Sequence, residues 1–367
     1  MTNGIIVHEW LARAGGSENV FEAIAAAFPD AERWCLWNEA GDRFAPVNET
    51  LLARTPFKGK KALSLPLMPA IWRHLPARSA DWMLVSSHLF AHHARFAGEA
   101  RDAKKLVFAH TPARYIWVPE LDGRGRNPFA RAASAVLKPL DRKRAQEPVA
   151  IAANSRFIQQ RIADTWERDA EIIYPNVDVE RILAEPSLTA EDEARLEALP
   201  EEFILGFSRF VPYKRLEAAI DTGRAAGLPV VLAGGGEGEA ALRAYAAERH
   251  PGRVSFVLNP SDELLSAILR RASALVFAPV EDFGIIPVEA MAAGTPVLAN
   301  AIGGAVESVI DGKTGAHVHD WSDATELRAA VDRAISASPG ACRARAQDFS
   351  SAVFDRKIRD FVARHTS

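Results

Sequence analysis

The sequence predicts an α/β protein with two Rossmann-like domains. Short apolar runs alternate with helix-length segments along a chain of 367 residues, which is the pattern of parallel βαβ units. The pattern occurs twice, and residues 182–202, rich in Glu, Ala and Pro, separate the two sets. A chain of this length with 48% hydrophobic residues can also supply two cores. We therefore expect domains over residues 1–180 and 181–345 that face one another across a cleft.

Each predicted strand is a short apolar run followed by a turn or a helix. In the first domain the strands are expected at residues 4–7, 82–86, 105–109 and 149–153, with helices from Ser17, Pro128 and Ser155. In the second domain they are expected at residues 203–207, 230–233, 254–257, 274–278 and 296–299. Residues 346–367 have periodic apolar positions and follow the last of these strands, so we expect a C-terminal helix that crosses back to the first domain.

Composition excludes several classes of protein. Cys35 and Cys342, far apart in sequence, form neither a disulfide framework nor a metal-ligand pattern, which indicates a reducing compartment. No stretch reaches 18 apolar residues, and no basic segment precedes the first apolar run. We expect a cytoplasmic protein with neither a membrane span nor a signal peptide.

Positive charge is concentrated in the first half of the chain. The net charge is −3, yet residues 54–144 contain 18 Lys and Arg against 6 Asp and Glu, with clusters at 58–61, 124–126 and 142–144. This excess predicts an anionic neighbour. Residues 63–75 interleave apolar side chains with cations, as in a patch that lies on a membrane surface. Binding of an anionic acceptor, or solubility alone, would give a similar charge run.

The segment from Glu281 to Glu289, Glu-Asp-Phe-Gly-Ile-Ile-Pro-Val-Glu, places two carboxylates around the start of a predicted helix. Pro287 suits the first helical turn, where its missing N–H would have had no partner. A strand that leads into a helix N-terminus leaves backbone N–H groups and a positive dipole end, which together attract phosphate. The segment thus predicts a site for a ligand with hydroxyls beside a phosphate, such as a sugar nucleotide, although an ordinary strand-to-helix crossover fits the spacing as well.

Two cations follow the first strand of the second domain. Arg209 and Lys214 lie just beyond residues 203–207, at the edge where open α/β sheets bind ligands. Cations are unfavourable near a helix N-terminus, and a bound anion would explain their presence. A guanidinium and an ammonium held there would stabilise the charge that develops on a departing diphosphate.

Four positions carry a resemblance to a known family: Arg209, Lys214, Glu281 and Glu289. Together with residues 290–297, Ala-Met-Ala-Ala-Gly-Thr-Pro-Val, they resemble the retaining glycosyltransferases of family 4, which have the GT-B fold. The resemblance covers most of residues 203–320 and recurs in Gly-Gly-Ser-Glu at residues 15–18, which is similar to that family's glycine loop. It is weakest over residues 40–80 and in the linker.

The resemblance implies a role for each charged position. Arg209 and Lys214 would hold the diphosphate of the donor. Glu281 would contact hydroxyls of the transferred sugar, and Glu289 would hydrogen-bond the ribose. A nucleotide sugar is therefore the implied ligand, bound at the edge of the second sheet.

The resemblance also implies contacts from the backbone. The main chain at Phe283, Gly284 and Ile285 would reach the sugar and the phosphate. Gly15 and Gly16, after the first strand, would let their loop approach the phosphates, which residues without a Cβ atom allow. Glycines at that position also suit an ordinary turn.

His110 ends the strand at residues 105–109, on the predicted ligand edge of the first domain. A single histidine is more often structural than catalytic, but the family resemblance implies a histidine beside the transferred sugar. Arg114 and Tyr115 follow on the same loop, where they would bind an acceptor or brace the loop.

The predicted chemistry needs no metal. The chain has no Asp-x-Asp metal clamp, so charge neutralisation is expected to come from Arg209, Lys214 and the helix start. A transfer that retains the configuration of the sugar could proceed by two successive displacements. It could also proceed by departure of the leaving group and attack of the acceptor on the same face of the sugar. The resemblance favours the second course, with the leaving phosphate taking the acceptor's proton.

Residues 208–215 and 110–115 are similar to the bacterial mannosyltransferases that use GDP-mannose to build O-antigen and other surface polysaccharides. This likeness implies α-mannosyl transfer to a lipid-linked oligosaccharide or a lipopolysaccharide acceptor, at the inner face of the cytoplasmic membrane. A UDP-sugar donor is the alternative within the same fold.

Two further classes of function compete with a transferase. The glycines at residues 234–238 favour a dinucleotide site, but the Gly-x-Gly-x-x-Gly pattern fails at Glu239 and the loop follows the second strand of its domain. A non-catalytic protein that binds anions or membranes would use the basic region. That region has no recognisable nucleic-acid module, and we expect no nucleic-acid partner.

Overall fold

A computed structural model describes residues 3–118 and 128–366, with the side chains of residues 128–133 left aside. The basic cluster at residues 124–126 therefore lies outside the described residues. The chain divides into two compact units, Met1–Asn176 with Ala352–Ser367, and Val177–Ser351. The boundary between the two units falls after Asn176, and Val177 pairs with Ser350 of the same unit in a parallel bridge.

The first unit contains a parallel sheet in the order β3-β2-β1-β5-β7-β8-β9, and a small two-stranded sheet pairs β4 with β6. The strands of both sheets are β1 (Gly4–His8), β2 (Glu32–Cys35), β3 (Asn48–Glu49), β4 (Leu75–Ala77), β5 (Trp82–Ser87), β6 (Phe96–Ala97), β7 (Lys104–Ala109), β8 (Ala150–Ala153) and β9 (Glu171–Ile172).

The first unit's α-helices connect these strands. They are α1 (Gly16–Ala27), α2 (Lys61–Ser64), α3 (Met68–Arg73), α4 (Arg114–Trp117), α5 (Pro128–Arg144) and α6 (Arg156–Trp166). Short 3₁₀ turns occur at Gly41–Phe44, Leu51–Arg54, Ala91–His93 and Glu99–Arg101.

The four strands predicted for this unit are present, and they are the central ones. Their residues are almost entirely buried, as expected when helices cover both faces of a parallel sheet. Strand β2 was not predicted because Glu32 and Arg33 interrupt its apolar character. It forms because its register with β1 buries Trp34 and Cys35.

The second unit contains a parallel sheet in the order β12-β11-β10-β13-β14-β15. Its strands are β10 (Ile204–Arg209), β11 (Val230–Gly235), β12 (Val254–Leu258), β13 (Ala274–Phe277), β14 (Val297–Asn300) and β15 (Gly315–Val318). The five predicted strands are present, and β15 is an addition at the edge. Since β10 is hydrogen-bonded to both β11 and β13, the loops after these strands meet at one edge of the sheet.

The second unit also contains α-helices. They are α7 (Val179–Leu183), α8 (Ala190–Glu197), α9 (Glu217–Ala226), α10 (Glu239–Arg249), α11 (Asp262–Arg271), α12 (Ile285–Ala293), α13 (Ala305–Ser308), α14 (Ala324–Ile335) and α15 (Pro339–Ala346), with 3₁₀ turns at Pro212–Lys214 and Gln347–Phe349.

The last helix, α16 (Ser351–Thr366), returns the chain to the first unit. Its apolar residues Phe354, Ile358 and Phe361 are buried in the same core cluster as Ile6 of β1. This confirms the crossing back that the periodic apolar positions predict. No helix within residues 3–118 and 128–366 is both long and apolar enough to cross a lipid bilayer.

A buried carboxylate organises the turn after β5. Glu9 is fully buried, and its Oε1 accepts hydrogen bonds from the backbone N–H of Leu89 at 2.8 Å and of Ala91 at 2.6 Å. Burial raises the pKa of Glu9 from 4.5 to about 7, although both N–H groups and His92 act in the opposite direction. These hydrogen bonds connect Glu9, which directly follows β1, to the turn after β5.

This raised pKa makes stability depend on pH. Folded Glu9 keeps its proton up to about pH 7, whereas in the unfolded chain the proton leaves near pH 4.5. The free energy of unfolding should therefore fall between these values, by about 3 kcal/mol at most, and level off above them. Urea unfolding of the wild type and of Glu9→Gln between pH 4.5 and 8.5 would measure the difference. A constant difference across this range would contradict the prediction.

A second buried carboxylate, Asp141 of α5, accepts from aromatic donors. Its Oδ2 lies 2.7 Å from the indole nitrogens of both Trp117 and Trp166, and its Oδ1 lies 3.1 Å from the Nε2 atoms of His92 and His93. Burial alone would raise the pKa of Asp141, but these histidines outweigh it and hold the pKa well below its usual range. The charge of Asp141 is thus satisfied inside the core.

Candidate active site

The predicted phosphate site is a loop that leads into α12. Strand β13 ends at Phe277, and the helix begins at Ile285 with Pro287 as its third residue, as the sequence predicts. Gly284 precedes the helix with φ 87°, a left-handed conformation that favours glycine. Gly284, the N-cap residue, has no side chain that could cap this helix end, and the first N–H groups of a helix have no partner within the helix.

Lys214 and Glu281 form an ion pair at this edge. Lys214 ends the 3₁₀ turn after β10, and its Nζ contacts Oε1 of Glu281 in the loop after β13. Their side chains are 12% and 23% exposed, so the pair is sheltered but reachable from solvent. The two residues meet because β10 and β13 are neighbouring strands.

Arg209 lies at the same edge with a different partner. It is the last residue of β10 and is exposed, and its Nη2 donates to the hydroxyl of Tyr213 at 2.5 Å. The guanidinium is therefore tethered to the turn that carries Lys214. This tether restricts a long side chain that would otherwise move freely in solvent.

Glu289 lies one turn into α12 and is half-buried. Burial raises the pKa of its carboxyl, while Arg181 lowers it and Asp262 raises it further. A carboxyl in such surroundings gains from a hydrogen-bond donor that replaces lost water. A hydroxyl pair, as on a ribose, would provide such donors.

Two glycines that the sequence reasoning missed support the Glu281 loop. The N–H of Gly304 donates to the carbonyl of Glu281 at 2.8 Å. A Cβ at Gly304 would lie 2.3 Å from the carbonyl oxygen of Asp282, and one at Gly303 would lie 3.0 Å from that of Glu281. Only glycine allows this approach at Gly304. The available signal was the Gly-Gly pair shortly after β14.

Phe283 anchors the loop from the other side. Its side chain is 3% exposed and packs on Phe349, with ring centroids 5.5 Å apart. Its predicted contribution to ligand binding therefore rests on its backbone. Buried aromatic packing of this kind holds the preceding carboxylate and the following helix end in one position.

The glycine-rich end of β11 and the turn after it pack on the end of β10, which bears Arg209, and on the residue that follows it. Gly234 has φ 134°, and a Cβ there would lie 1.9 Å from the carbonyl oxygen of Ser208. The N–H of Gly238 donates to the carbonyl of Phe210 at 2.8 Å. These glycines allow close packing of two loops of the same unit. The backbone N–H of Asn259, which follows β12, donates to the carbonyl of Gly234 at 2.8 Å, so the loop after β12 is held at the same edge of the sheet.

Gly15 and Gly16 lie at the start of α1 in the first unit. A Cβ at Gly15 would lie 2.1 Å from Oε2 of Glu18, so this carboxylate occupies the space beside the glycine. Oε1 of Glu18 accepts from the N–H of Ala12 at 3.2 Å, which closes the loop. The packing of Glu18 within the same loop therefore accounts for a glycine at position 15.

His110 follows β7 in the first unit and is only 9% exposed. Its Nε2 lies 2.8 Å from the hydroxyl of Ser86, a residue of the neighbouring strand β5. Arg114 and Tyr115 begin helix α4, one turn further along. The histidine is thus held by the sheet rather than by a mobile loop.

Metal-ligating side chains come together, among the described residues, at His92, His93 and Asp141. All three are buried, and both oxygens of Asp141 already accept hydrogen bonds. This group belongs to the core described above and is separate from the loops that carry Lys214 and Glu281.

Two Rossmann-like units with parallel sheets define the GT-B fold, and comparison with solved structures agrees with it. A crystal structure of Anabaena Alr3699/HepE in complex with UDP superposes with a TM-score of 0.69 at 18% identity, covering 98% of this chain and 100% of that one. The fold prediction is confirmed.

The sequence comparisons cover part of the chain. Residues 189–350 match the family model described as Glycosyl transferases group 1. A D-inositol 3-phosphate glycosyltransferase of Mycobacterium sp. (strain KMS) is 34% identical over 219 residues, covering 53% of this chain and 48% of the relative. The alpha-1,3/1,6-mannosyltransferase alg-2 of Neurospora crassa is 29% identical over 231 residues, covering 51% and 48%. The chain thus spans about half the length of these curated relatives.

Proposed function

We propose that the protein is a retaining glycosyltransferase that moves a hexose from a nucleotide sugar to an acceptor. The observation that carries this proposal is the pairing of Lys214 with Glu281 at the carboxyl edge of a Glycosyl transferases group 1 domain, beside the uncapped start of α12. The arrangement puts a cation, a carboxylate and the backbone N–H groups of a helix start at one place.

The proposed chemistry assigns the diphosphate to the cations. An ammonium has three N–H donors, so Lys214 can hold Glu281 and phosphate oxygens together. Arg209 adds a guanidinium whose planar geometry suits phosphate. As the bond between sugar and diphosphate breaks, negative charge grows on the leaving group, and these groups together with the α12 start stabilise it. No metal is required in this scheme.

Glu281 and Glu289 take the neutral parts of the donor. Glu281 accepts from hydroxyls of the transferred sugar, while its pairing with Lys214 places that sugar beside the diphosphate. Glu289 accepts from the ribose. We propose departure and attack on one face of the sugar, with the leaving phosphate receiving the acceptor's proton.

The proposed donor is GDP-mannose, and a UDP-sugar is the alternative. The likeness of residues 208–215 to GDP-mannose-dependent enzymes supports the first. The Neurospora relative named as a mannosyltransferase agrees with it, and the solved neighbour that binds UDP illustrates the second.

A nucleotide panel tests the proposal. The melting temperature should rise with GDP or UDP and stay unchanged with single-stranded nucleic acid, and comparing the two nucleotides identifies the base. Glu289→Ala should weaken binding of the preferred nucleotide about tenfold through loss of a charged hydrogen bond, whereas Asp332→Ala, an exposed acidic control, should not. If neither nucleoside diphosphate stabilises the protein, a non-catalytic anion-binding role replaces the transferase.

The proposed acceptor is a lipid-linked oligosaccharide or lipopolysaccharide, reached from the inner face of the cytoplasmic membrane. Four large apolar side chains of the first unit are exposed around the basic cluster at residues 58–61: Leu51, Phe57, Leu63 and Leu67. Apolar side chains beside lysines suit the boundary between lipid headgroups and acyl chains.

Membrane contact predicts salt-sensitive sedimentation with anionic vesicles. Replacing Lys58, Lys60 and Lys61 with serine should lower the vesicle-bound fraction, with an apparent affinity reduced at least about tenfold, because each surface cation contributes to attraction by anionic lipids. The matched control replaces three exposed cations elsewhere: Lys313, Arg328 and Arg356. Equal loss in both variants, or binding that ignores salt, would contradict a specific membrane surface.

A further inference from the structure

Three histidines and a serine of the first unit meet at the carboxyl edge of its sheet. His8 ends β1, Ser86 lies opposite it in β5, and His88 and His110 follow β5 and β7. The ring centroids of His8, His88 and His110 are 5.5 to 6.3 Å apart. Neighbouring parallel strands bring these residues together, although they are far apart in sequence.

The hydroxyl of Ser86 bridges two of the imidazoles. Its Oγ lies 3.0 Å from Nδ1 of His8 and 2.8 Å from Nε2 of His110. A hydroxyl has one proton and two lone pairs, and among the described residues the hydrogen-bond partners of the buried Ser86 Oγ are these two rings. If one ring donates to Oγ, the hydroxyl proton needs the other ring as its acceptor, because a buried O–H without an acceptor is unfavourable. The bridge therefore has a direction, and this direction determines which nitrogen of His110 carries a proton.

The surroundings of His8 select that direction. Its Nε2 is buried, and no group within the described residues hydrogen-bonds to it. A proton on Nε2 would leave a buried N–H without an acceptor, which proteins avoid. The proton therefore sits on Nδ1, facing Ser86. Burial, together with His88 and His110, lowers the pKa of His8 well below its usual range, although a backbone hydrogen bond with Ser86 acts in the opposite direction. The ring of His8 therefore holds one proton only.

The third imidazole adds no charge to the cluster. Burial, together with the nearby His110, Lys61 and Arg114, lowers the pKa of His88 from 6.5 to about 3, so this ring is neutral at physiological pH. The rings of His88 and Trp10 pack edge to face at 4.7 Å. His88 therefore packs at the side of the cluster, and it does not compete with His8 and His110 for the hydroxyl of Ser86.

We propose that His8 is a positioning residue that sets the tautomer of His110 through Ser86. Nδ1–H of His8 donates to Ser86 Oγ, whose own proton is donated to Nε2 of His110. His110 then carries its proton on Nδ1, so that this atom is a hydrogen-bond donor. Resting on the proposed function, this makes His110 a donor to an oxygen of the transferred sugar and not a general base.

The tautomer can be measured without substrate. Nitrogen-15 NMR of histidine-labelled protein separates protonated from unprotonated ring nitrogens, and comparison with His110→Gln assigns the signals of His110. We expect a protonated Nδ1 and an unprotonated Nε2 in the wild type, and a shift toward the other tautomer in Ser86→Ala. A wild-type His110 that is protonated on Nε2 would overturn the proposal, as would an unchanged tautomer in Ser86→Ala.

Turnover provides a second readout. Asparagine can place an N–H where Nδ1 of histidine lies, whereas phenylalanine keeps the ring shape and lacks the donor. His8→Asn should keep kcat within about threefold of the wild type, while His8→Phe and Ser86→Ala should lower kcat about tenfold with little change in the KM of the donor. Equal kcat in all three variants would overturn the relay. Because the NMR experiment needs no transfer reaction, its outcome stands even if the proposed function fails.

Discussion

Replacing Lys214 with alanine should lower the turnover number by about 10²-fold or more, since removal of one preorganised charge partner of a developing anion has an effect of this size. The variant also leaves Glu281 without its cation, next to the position that we propose for the diphosphate. Steady-state transfer from a radiolabelled donor into a membrane extract, measured in EDTA, gives the rate and tests metal independence together.

Lys313→Ala, which removes an exposed lysine of the same unit, is the matched control and should retain wild-type turnover. Arg209→Ala should also be slow. In a double-mutant cycle, Glu281→Gln should change the rate less in the Lys214→Ala background than in the wild type, because the two side chains act as a pair. Wild-type turnover in both Lys214→Ala and Arg209→Ala would refute the assignment of these residues.

Replacing Asp141 with alanine should destabilise the protein by about 3–5 kcal/mol, the range expected when one partner of a buried charged network is removed. The substitution leaves the indole N–H groups of Trp117 and Trp166 and the imidazole of His93 buried without their acceptor. Urea unfolding followed by tryptophan fluorescence would report both the midpoint and the environment of these rings.

Asp164→Ala is the control for this variant, because Asp164 is exposed on α6 and its Oδ1 accepts from the side chain of Gln160 within one helical turn. Its effect should stay within about 0.5 kcal/mol. Asp141→Asn separates charge from shape, since an amide keeps one acceptor and turns the other into a donor that faces N–H groups. If Asp141→Ala unfolded like the control, the network would be dispensable.

Much of the fold follows from local patterns. A central strand of a parallel sheet is buried on both faces, so its sequence is largely apolar, and eight of the nine predicted strands are central. The ninth, β12, is an edge strand and is only partly buried, but its sequence is still mostly apolar. Strands β2 and β15 escaped prediction because they carry residues such as Glu32 and His317 that face partly outward. Their existence depends on a neighbouring strand that presents its edge.

The candidate site likewise has features that depend on local sequence and features that depend on long-range contacts. The start of α12 is a local event, governed by Gly284 and Pro287, and the sequence placed it correctly. The support of Gly304 for the Glu281 loop is a long-range contact between two loops, so the role of that glycine became visible only in the structure.

What the sequence determined by itself was the two-domain α/β plan, the helix start after Glu281 and the basic character of the first half. These features depend on residues that are close along the chain, whose propensities and charges act locally. Only the tertiary structure decided which distant groups meet: Lys214 with Glu281, Asp141 with its indoles, and His8 with His110 through Ser86. The reason is strand order. A parallel sheet brings the carboxyl ends of its strands to one edge, and local sequence does not encode which strands are neighbours there.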